Sequence, residues 1–155
     1  MKIYLFFTLF IFSIIPAFSQ KIPLTEEILV TSNGKLISTD SLNTGIWVFL
    51  ISTYECGYCI KDIPYNNYLI EKYKGKINFI TLFELDTIKI KNFELKNKMK
   101  LEWEKIPNAA NIYERHWRFG AFPEYIVYKN GSKRRVFSDA SLKTKMKLEK
   151  YLSKN

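Results

Sequence analysis

The two cysteines of the chain, Cys56 and Cys59, lie three positions apart in the segment STYECGYCIKDIP (52–64). Two thiols at this spacing can hold a metal, form a structural disulfide or exchange electrons with other disulfides. A zinc site is disfavoured because zinc takes four ligands, and the chain has no further cysteine and a single distant histidine, His116. A structural bridge is disfavoured because closing so short a loop stabilises little. The spacing therefore favours redox chemistry, and both alternatives stay open.

The segments on either side of the pair predict how it is positioned. The continuous apolar run IWVFLIS (46–52) predicts a strand buried on both faces. The segment IKDIPYNNYLIEKYKG (60–75) predicts a helix that ends at Gly75 and is kinked by Pro64. The cysteines then lie at the junction of a buried strand and the first turn of a helix.

That junction suits a reactive thiol. Unpaired N–H groups and the helix dipole at the first turn favour the thiolate of Cys56. Cys59, one turn later, is placed to resolve a mixed disulfide formed at Cys56. Gly57 allows the backbone to bend between them.

The remaining segments predict one α/β domain with a mixed central sheet and helices on both faces. Strands before and after a helix imply a parallel pair with a right-handed crossover. The predicted elements are a hairpin over 27–39 with Asn33-Gly34 at its turn, a strand over 76–85, a helix near 89–99, an extended segment over 101–107, a helix over 108–119, a hairpin over 124–137 with Asn130-Gly131 at its tip, and a helix over 139–155. For the last helix we expect a cap at Asp139 or Ser141 and an apolar stripe of Leu142, Met146, Leu148 or Glu149, and Leu152.

The N-terminal residues have the pattern of a secretory signal. Lys2 precedes an uncharged apolar run, and Ala17-Phe18-Ser19 offers small residues for cleavage between Ser19 and Gln20. We expect a signal peptide over 1–19 and a domain over 20–155, an exported protein whose thiols can be oxidised. The alternative is an uncut membrane anchor, although the run is short for a spanning helix.

Composition excludes few classes of function. The chain has 155 residues and 47% apolar residues, which suit one domain with a packed core. The net charge is +9, but the lysines alternate with apolar residues, as they do on solvated faces. We expect no nucleic-acid partner, because no recognition motif accompanies the charge.

Three segments together resemble the thioredoxin superfamily, and within it the exported TlpA-type proteins. They are LVTSNGKLISTDSL (29–42), which resembles the family's N-terminal hairpin; WVFLISTYECGYCIKDIP (47–64), which resembles its active-site strand, motif and kinked helix; and RFGAFPEYIVYKNG (118–131), which resembles the segment with its cis-proline. The resemblance implies a thioredoxin-like fold with an added N-terminal β-hairpin.

The resemblance also implies roles for individual residues. Cys56 is expected to be the nucleophile and Cys59 the resolving thiol. Pro123 is expected to be cis, to lie against the pair and to shape a substrate groove. Substrate contacts are expected from Gly57, Tyr58 and Phe122, although Phe122 also suits the core.

Three more residues bear on the ionisation of the cysteines: one acid, and two positions at which this chain differs from the family pattern. Asp62 occupies a position where TlpA-type proteins often have an acid, so we expect it to relay the proton of Cys59; the alternative is an exposed helix carboxylate. Glu55 replaces the family's usual tryptophan, and its charge opposes a neighbouring thiolate. Leu50 stands where many relatives have a buried acid, and it cannot move protons.

The expected function is that of an exported thiol–disulfide oxidoreductase that reduces protein disulfides. Its redox group would be the Cys56–Cys59 disulfide, with no separate cofactor, and a membrane protein would supply electrons to a monomer. One alternative is an oxidant or isomerase, since Gly-Tyr also separates the cysteines of a bacterial disulfide isomerase. Another is a non-catalytic binding module with an inert bridge.

Overall fold

A five-stranded mixed sheet forms the centre of the molecule. The computed structural model describes residues 27–117 and 121–154. Within them the sheet has the strand order β5-β4-β3-β6-β7. Its strands are β3 (Ile46–Ser52), β4 (Ile77–Phe83), β5 (Glu104–Ile106), β6 (Glu124–Lys129) and β7 (Ser132–Ser138). A separate antiparallel pair, β1 (Leu29–Val30) and β2 (Leu36–Ile37), precedes the sheet.

Strand β3 lies in the middle of this sheet, and it ends just before the cysteine pair. All seven of its residues are buried, as the apolar run predicts. It runs parallel to β4, from Ile46 opposite Ile77 to Ser52 opposite Phe83, and antiparallel to β6. The predicted buried strand and the predicted parallel pair are both confirmed.

Helices cover both faces of the sheet and divide the core into two clusters. The helices are α1 (Gly57–Lys61), α2 (Ile63–Lys72), α3 (Thr87–Asn97), α4 (Ala110–His116) and α5 (Leu142–Leu152). On one face, Leu69 of α2, Ile90 of α3 and Leu148 of α5 pack against β3 and β4. On the other face, Tyr113 of α4 and Leu29 of β1 pack against the same strands. The predicted α/β architecture is confirmed.

The hairpin between β6 and β7 turns at Asn130-Gly131, as predicted. Both residues have positive φ angles, 50° and 70°, which match the twist of a two-residue hairpin loop. A Cβ atom at Gly131 would lie 2.7 Å from the side-chain oxygen of Asn43, so glycine is also required by close packing. This turn fixes the antiparallel half of the sheet.

The helix after the cysteines differs in detail from the prediction. It breaks at Asp62, two residues before Pro64, and α2 ends at Lys72 rather than at Gly75. The break precedes the proline because proline has no N–H to bond the preceding turn. Asp62 is therefore the C-cap of α1 and the N-cap of α2.

The apolar stripe predicted for the last helix is wrong in its first half. Leu142 and Met146 are 73% and 63% exposed, whereas Leu148 and Leu152 are buried. The helix packs on the sheet through the side that also carries Lys145. Its N-cap is Ser141, whose hydroxyl accepts a hydrogen bond from the N–H of Thr144.

The predicted signal peptide and its cleavage position lie outside the described residues. Within residues 27–117 and 121–154, none of the helices combines the length and the apolar character needed to cross a bilayer.

Candidate active site

Cys56 is the N-cap of helix α1. Its backbone is extended, and its Sγ accepts a hydrogen bond from the N–H of Cys59 at 3.2 Å. The side chain is half-buried. The N–H of Cys59 thus points at the sulfur from the first turn of the helix. The sequence-based position of Cys56, between a buried strand and a helix, is thus confirmed.

Cys59 lies one turn further into α1 and is 3% exposed. Burial, followed by the hydrogen bond with Cys56, raises the pKa of the Cys59 thiol to about 12. Both cysteines are free thiols in this structure. The pair is therefore asymmetric, with a reachable sulfur at the helix tip and a protonated sulfur behind it.

The loop before β6 lies directly against Cys56. The Phe122–Pro123 peptide is cis, which confirms the prediction for Pro123. The carbonyl oxygen of Phe122 faces Cys56 Sγ at 3.8 Å, a distance at which a thiol donates a weak hydrogen bond. Pro123 is buried, and its own carbonyl accepts a hydrogen bond from the N–H of Asp139 at 3.2 Å. The structure thus brings together segments 66 residues apart.

The residues expected to contact a substrate adjoin Cys56, but they are not equally accessible. Gly57 is exposed, and Tyr58 is 66% exposed. Phe122 is half-buried and packs edge-on against Tyr113, with ring centroids 6.4 Å apart. Glu55 is exposed beside them. The surface around the reactive sulfur is therefore apolar and aromatic, with one carboxylate.

Asp62 is buried at the junction of α1 and α2, at 3% exposure, so the alternative of an exposed helix carboxylate is wrong. Its Oδ1 accepts a hydrogen bond from Nζ of Lys145 at 2.5 Å, and its Oδ2 has no hydrogen-bond partner among the described residues. The pKa of the buried Tyr125 hydroxyl is raised, first by burial and then by charges that include Asp62 and Cys59. Asp62 and Cys59 thus lie within electrostatic reach of the same hydroxyl.

Sequence reasoning missed Lys145 as the partner of Asp62. The residue lies on α5, and 83 positions separate the two. A signal was present, because Lys145 is three positions before the buried Leu148 and so shares its helix face. A lysine on the buried face of an amphipathic helix indicates a buried anion nearby.

Sequence reasoning also missed a buried polar network behind the Cys56 loop. The hydroxyl of Tyr54 donates to Oε1 of Glu94 at 2.8 Å, and Nζ of Lys105 lies 3.2 Å from the same oxygen. Burial and the Glu94 carboxylate raise the pKa of Tyr54. This network ties the loop to α3 and β5.

Solved structures with the same arrangement of elements are known. A secreted disulfide oxidoreductase of Mycobacterium tuberculosis, homologous to DsbE of E. coli, matches with a TM-score of 0.68, and the match covers 84% of this chain and 97% of that one. The chain has a thioredoxin-like fold. The sequence identity to that structure is 15%, so the likeness establishes the fold and not the activity.

Two further thioredoxin-like structures give the same result. A thiol:disulfide interchange protein of the thioredoxin family from Chlorobium tepidum matches with a TM-score of 0.67 and 15% identity, covering 82% of this chain and 90% of that one. The exposed lipoprotein thioredoxin Etrx1 of Streptococcus pneumoniae matches with a TM-score of 0.70 and 10% identity, covering 83% and 98%. Neither a protein-family model nor a curated protein matches the sequence. The expected thioredoxin-like fold is confirmed, and membership of the thioredoxin superfamily and the TlpA-type assignment stay predictions.

Proposed function

We propose that this protein is an exported thiol–disulfide oxidoreductase that reduces disulfide bonds in other proteins. The observation that carries the proposal is the position of Cys56. Its sulfur is half-exposed at the N-terminus of α1, accepts the N–H of Cys59 and faces the loop that holds Pro123. A nucleophilic thiol at an exposed turn and a resolving thiol behind it are the parts that disulfide exchange requires.

The first step is attack of the Cys56 thiolate on one sulfur of a substrate disulfide. A Cys56–substrate disulfide forms, the substrate S–S bond breaks, and the other substrate sulfur leaves as a thiolate that takes a proton from water. The carbonyl of Phe122 lies 3.8 Å from Cys56 Sγ, so an extended substrate strand beside this loop has backbone groups to pair with. Tyr58 and Phe122 supply apolar contacts on either side.

The second step is attack of Cys59 on the mixed disulfide. Because the pKa of Cys59 is raised to about 12, its thiol must lose a proton to a nearby base as it attacks. Asp62 is our candidate for this base, acting directly or through a water, since its buried Oδ2 has no partner among the described residues. The Cys56–Cys59 bond forms, the substrate leaves as a dithiol, and the two electrons have passed to the substrate.

The environment of Cys56 supports the reducing direction. Dithiol proteins become strong oxidants when their nucleophilic thiolate is strongly stabilised. Here the sulfur accepts one hydrogen bond, from the N–H of Cys59, while the carbonyl oxygen of Phe122, 3.8 Å away, turns the negative end of its dipole toward it. A thiolate with this modest support gives up its electrons readily. An external donor, which we propose to be a membrane protein, must then return the pair to the dithiol.

The test is reduction of insulin by dithiothreitol with catalytic amounts of wild-type protein, Cys56→Ser or Cys59→Ser. We expect wild-type protein to accelerate the reaction and Cys56→Ser to be inactive. In a separate incubation with insulin and without dithiothreitol, Cys59→Ser should accumulate a mixed disulfide with the substrate. A wild-type rate that Cys56→Ser reproduces would overturn the proposal and leave a binding module. A reduction potential near that of strong oxidants would keep the exchange chemistry and reverse its direction.

A further inference from the structure

The outward side of helix α5 combines lysines with exposed apolar side chains. Leu142 and Met146 lie one turn apart and are largely exposed. Three exposed lysines lie beside them, and together the five residues line an open groove of about 530 Å³. We call this surface the α5 outer face; its residues are Leu142, Lys143, Met146, Lys147 and Lys150.

The charges of α5 are sorted between its two sides. The one acid of the helix, Glu149, is turned toward α2, where it pairs with Lys72 at 2.6 Å. Lys145 is turned inward to Asp62. The positive charge of Lys147 helps to lower the pKa of Asp139, but hydrogen bonds from Ser141 lower it more. The α5 outer face therefore carries three cations that helix residues do not neutralise.

We propose that the α5 outer face binds the surface of a bilayer that contains anionic phospholipid. A helix with an apolar column beside a row of lysines can lie in the plane of a membrane interface, with its apolar side chains among the headgroups and its ammonium groups on the phosphates. Leu142 and Met146 are the apolar column, and the three lysines follow the same helix side at spacings of three and four. Each lysine near an anionic surface strengthens the attraction.

Charge argues against the other occupants of this face. A second copy in a two-fold dimer would place lysines against lysines, which repel. An acidic protein segment would satisfy the charge, but the groove is formed by one helix side and offers few polar groups beyond the ammonium ions to orient a peptide. A fluid layer of phosphates accepts such a face without a defined partner geometry.

Helix α5 is connected to the cysteine site through its start and its inward side. The N–H of Asp139, just before α5, donates to the carbonyl of Pro123, and Lys145 reaches Asp62 from the same helix. The first turn of α5 is thus tied to both parts of the cysteine site. The inference rests on the α5 outer face alone, so its test is independent of the proposed redox activity.

The test is lysine footprinting of the full chain with an amine-reactive acetylating reagent. It is done without vesicles, with phosphatidylcholine vesicles, and with vesicles that also contain phosphatidylglycerol. We expect Lys143, Lys147 and Lys150 to be protected several-fold by the anionic vesicles alone. The three exposed lysines of α3, which are Lys89, Lys91 and Lys96, serve as internal controls and should react equally in all samples. Because each site is read separately, membrane binding by the N-terminal run does not obscure the result.

A variant then separates this face from net charge. Lys143→Gln/Lys147→Gln/Lys150→Gln should weaken binding to anionic vesicles about 100-fold, whereas the matched Lys89→Gln/Lys91→Gln/Lys96→Gln variant should change it little. All six side chains are exposed, so we expect both variants to fold. The proposal is overturned if anionic vesicles protect the lysines of α3 and α5 equally. It is also overturned if both variants lose the same affinity for anionic vesicles. Protection by polyglutamate but not by vesicles overturns it in favour of an acidic protein, and protection that grows with protein concentration alone overturns it in favour of a second copy.

Discussion

The ammonium group of Lys145 lies 2.5 Å from Oδ1 of Asp62, although 83 residues separate the two. The carboxylate is almost completely buried, and the lysine side chain is 19% exposed. The pair joins the C-terminal helix to the break between α1 and α2, three positions after Cys59. It therefore ties α5 to the junction of the two helices that follow the cysteine pair.

Replacing Lys145 by methionine should destabilise the protein by about 3 kcal/mol, since it leaves the buried carboxylate of Asp62 without its counter-charge. The measurement is urea unfolding of the reduced protein. The control is Lys143→Met, on the exposed side of the same helix, which should change stability by no more than about 0.5 kcal/mol. The double variant Lys145→Met/Asp62→Leu should recover most of the loss. Equal losses in Lys145→Met and the control would mean that the pair contributes nothing measurable.

Stability should fall at alkaline pH because of Cys59. Its pKa is raised in the folded protein to about 12 from an ordinary value of 9.0, so the thiol is protonated in both states below pH 9.0. Above that pH the unfolded chain loses the proton first, and folding is penalised by up to about 1.4 kcal/mol per pH unit until the folded thiol also ionises. Urea unfolding of the reduced protein from about pH 8 to about pH 11 measures the slope.

Tyrosines and lysines also ionise in that range, so the test compares wild-type protein with Cys59→Ala. The difference in unfolding free energy between the two should narrow as the pH rises, because the variant lacks the buried thiol. Parallel curves would show that Cys59 does not titrate with a raised pKa.

Local patterns accounted for most of the strands. The run of β-branched and aromatic residues over 46–52 is long enough and apolar enough to predict a central buried strand, and the structure confirms its bounds. The Asn-Gly pairs at Asn33 and Asn130 predicted both hairpins, and in the structure Gly34, Asn130 and Gly131 have positive φ angles. The cysteine motif could be placed because it directly follows one strand.

The sequence did not predict which side of α5 packs on the sheet, or which residues from distant parts of the chain come into contact. Leu142 and Met146 fit a helical period as well as Leu148 does, but the face that packs on the sheet is the one with Lys145. That choice depends on Asp62, which lies in another part of the chain. That the loop with Pro123 lies against the cysteine pair was expected only from the family resemblance, since no local pattern indicates it.

Tyr58 should contribute to binding of protein substrates but not to stability. Its side chain is 66% exposed one residue before Cys59, so Tyr58→Ala should leave the free energy of unfolding within about 0.5 kcal/mol of wild type. We expect a several-fold higher KM for insulin and an unchanged rate with oxidised glutathione, which has no apolar side chain to pack on the ring. Tyr68→Ala, at a half-exposed tyrosine on α2, is the matched control. It should change neither the KM for insulin nor the rate with oxidised glutathione. If neither variant changes the KM for insulin, Tyr58 does not contribute to substrate binding.

The hydroxyl of Tyr54 should stabilise the loop before Cys56. It donates to the Glu94 carboxylate at 2.8 Å inside the protein, while the ring stacks on Phe93 with centroids 4.0 Å apart. Tyr54→Phe keeps the stacking and removes the hydrogen bond, which should cost about 2 kcal/mol because the acceptor is charged. Glu94 retains Lys105 as its partner, so the variant should still fold. The measurement is urea unfolding, and the control is Tyr68→Phe. The exposed hydroxyl of Tyr68 lies 3.3 Å from Glu149, so the control removes a hydrogen bond at the surface rather than a buried one. If the two variants lose the same small amount, the network behind Cys56 does not stabilise the fold.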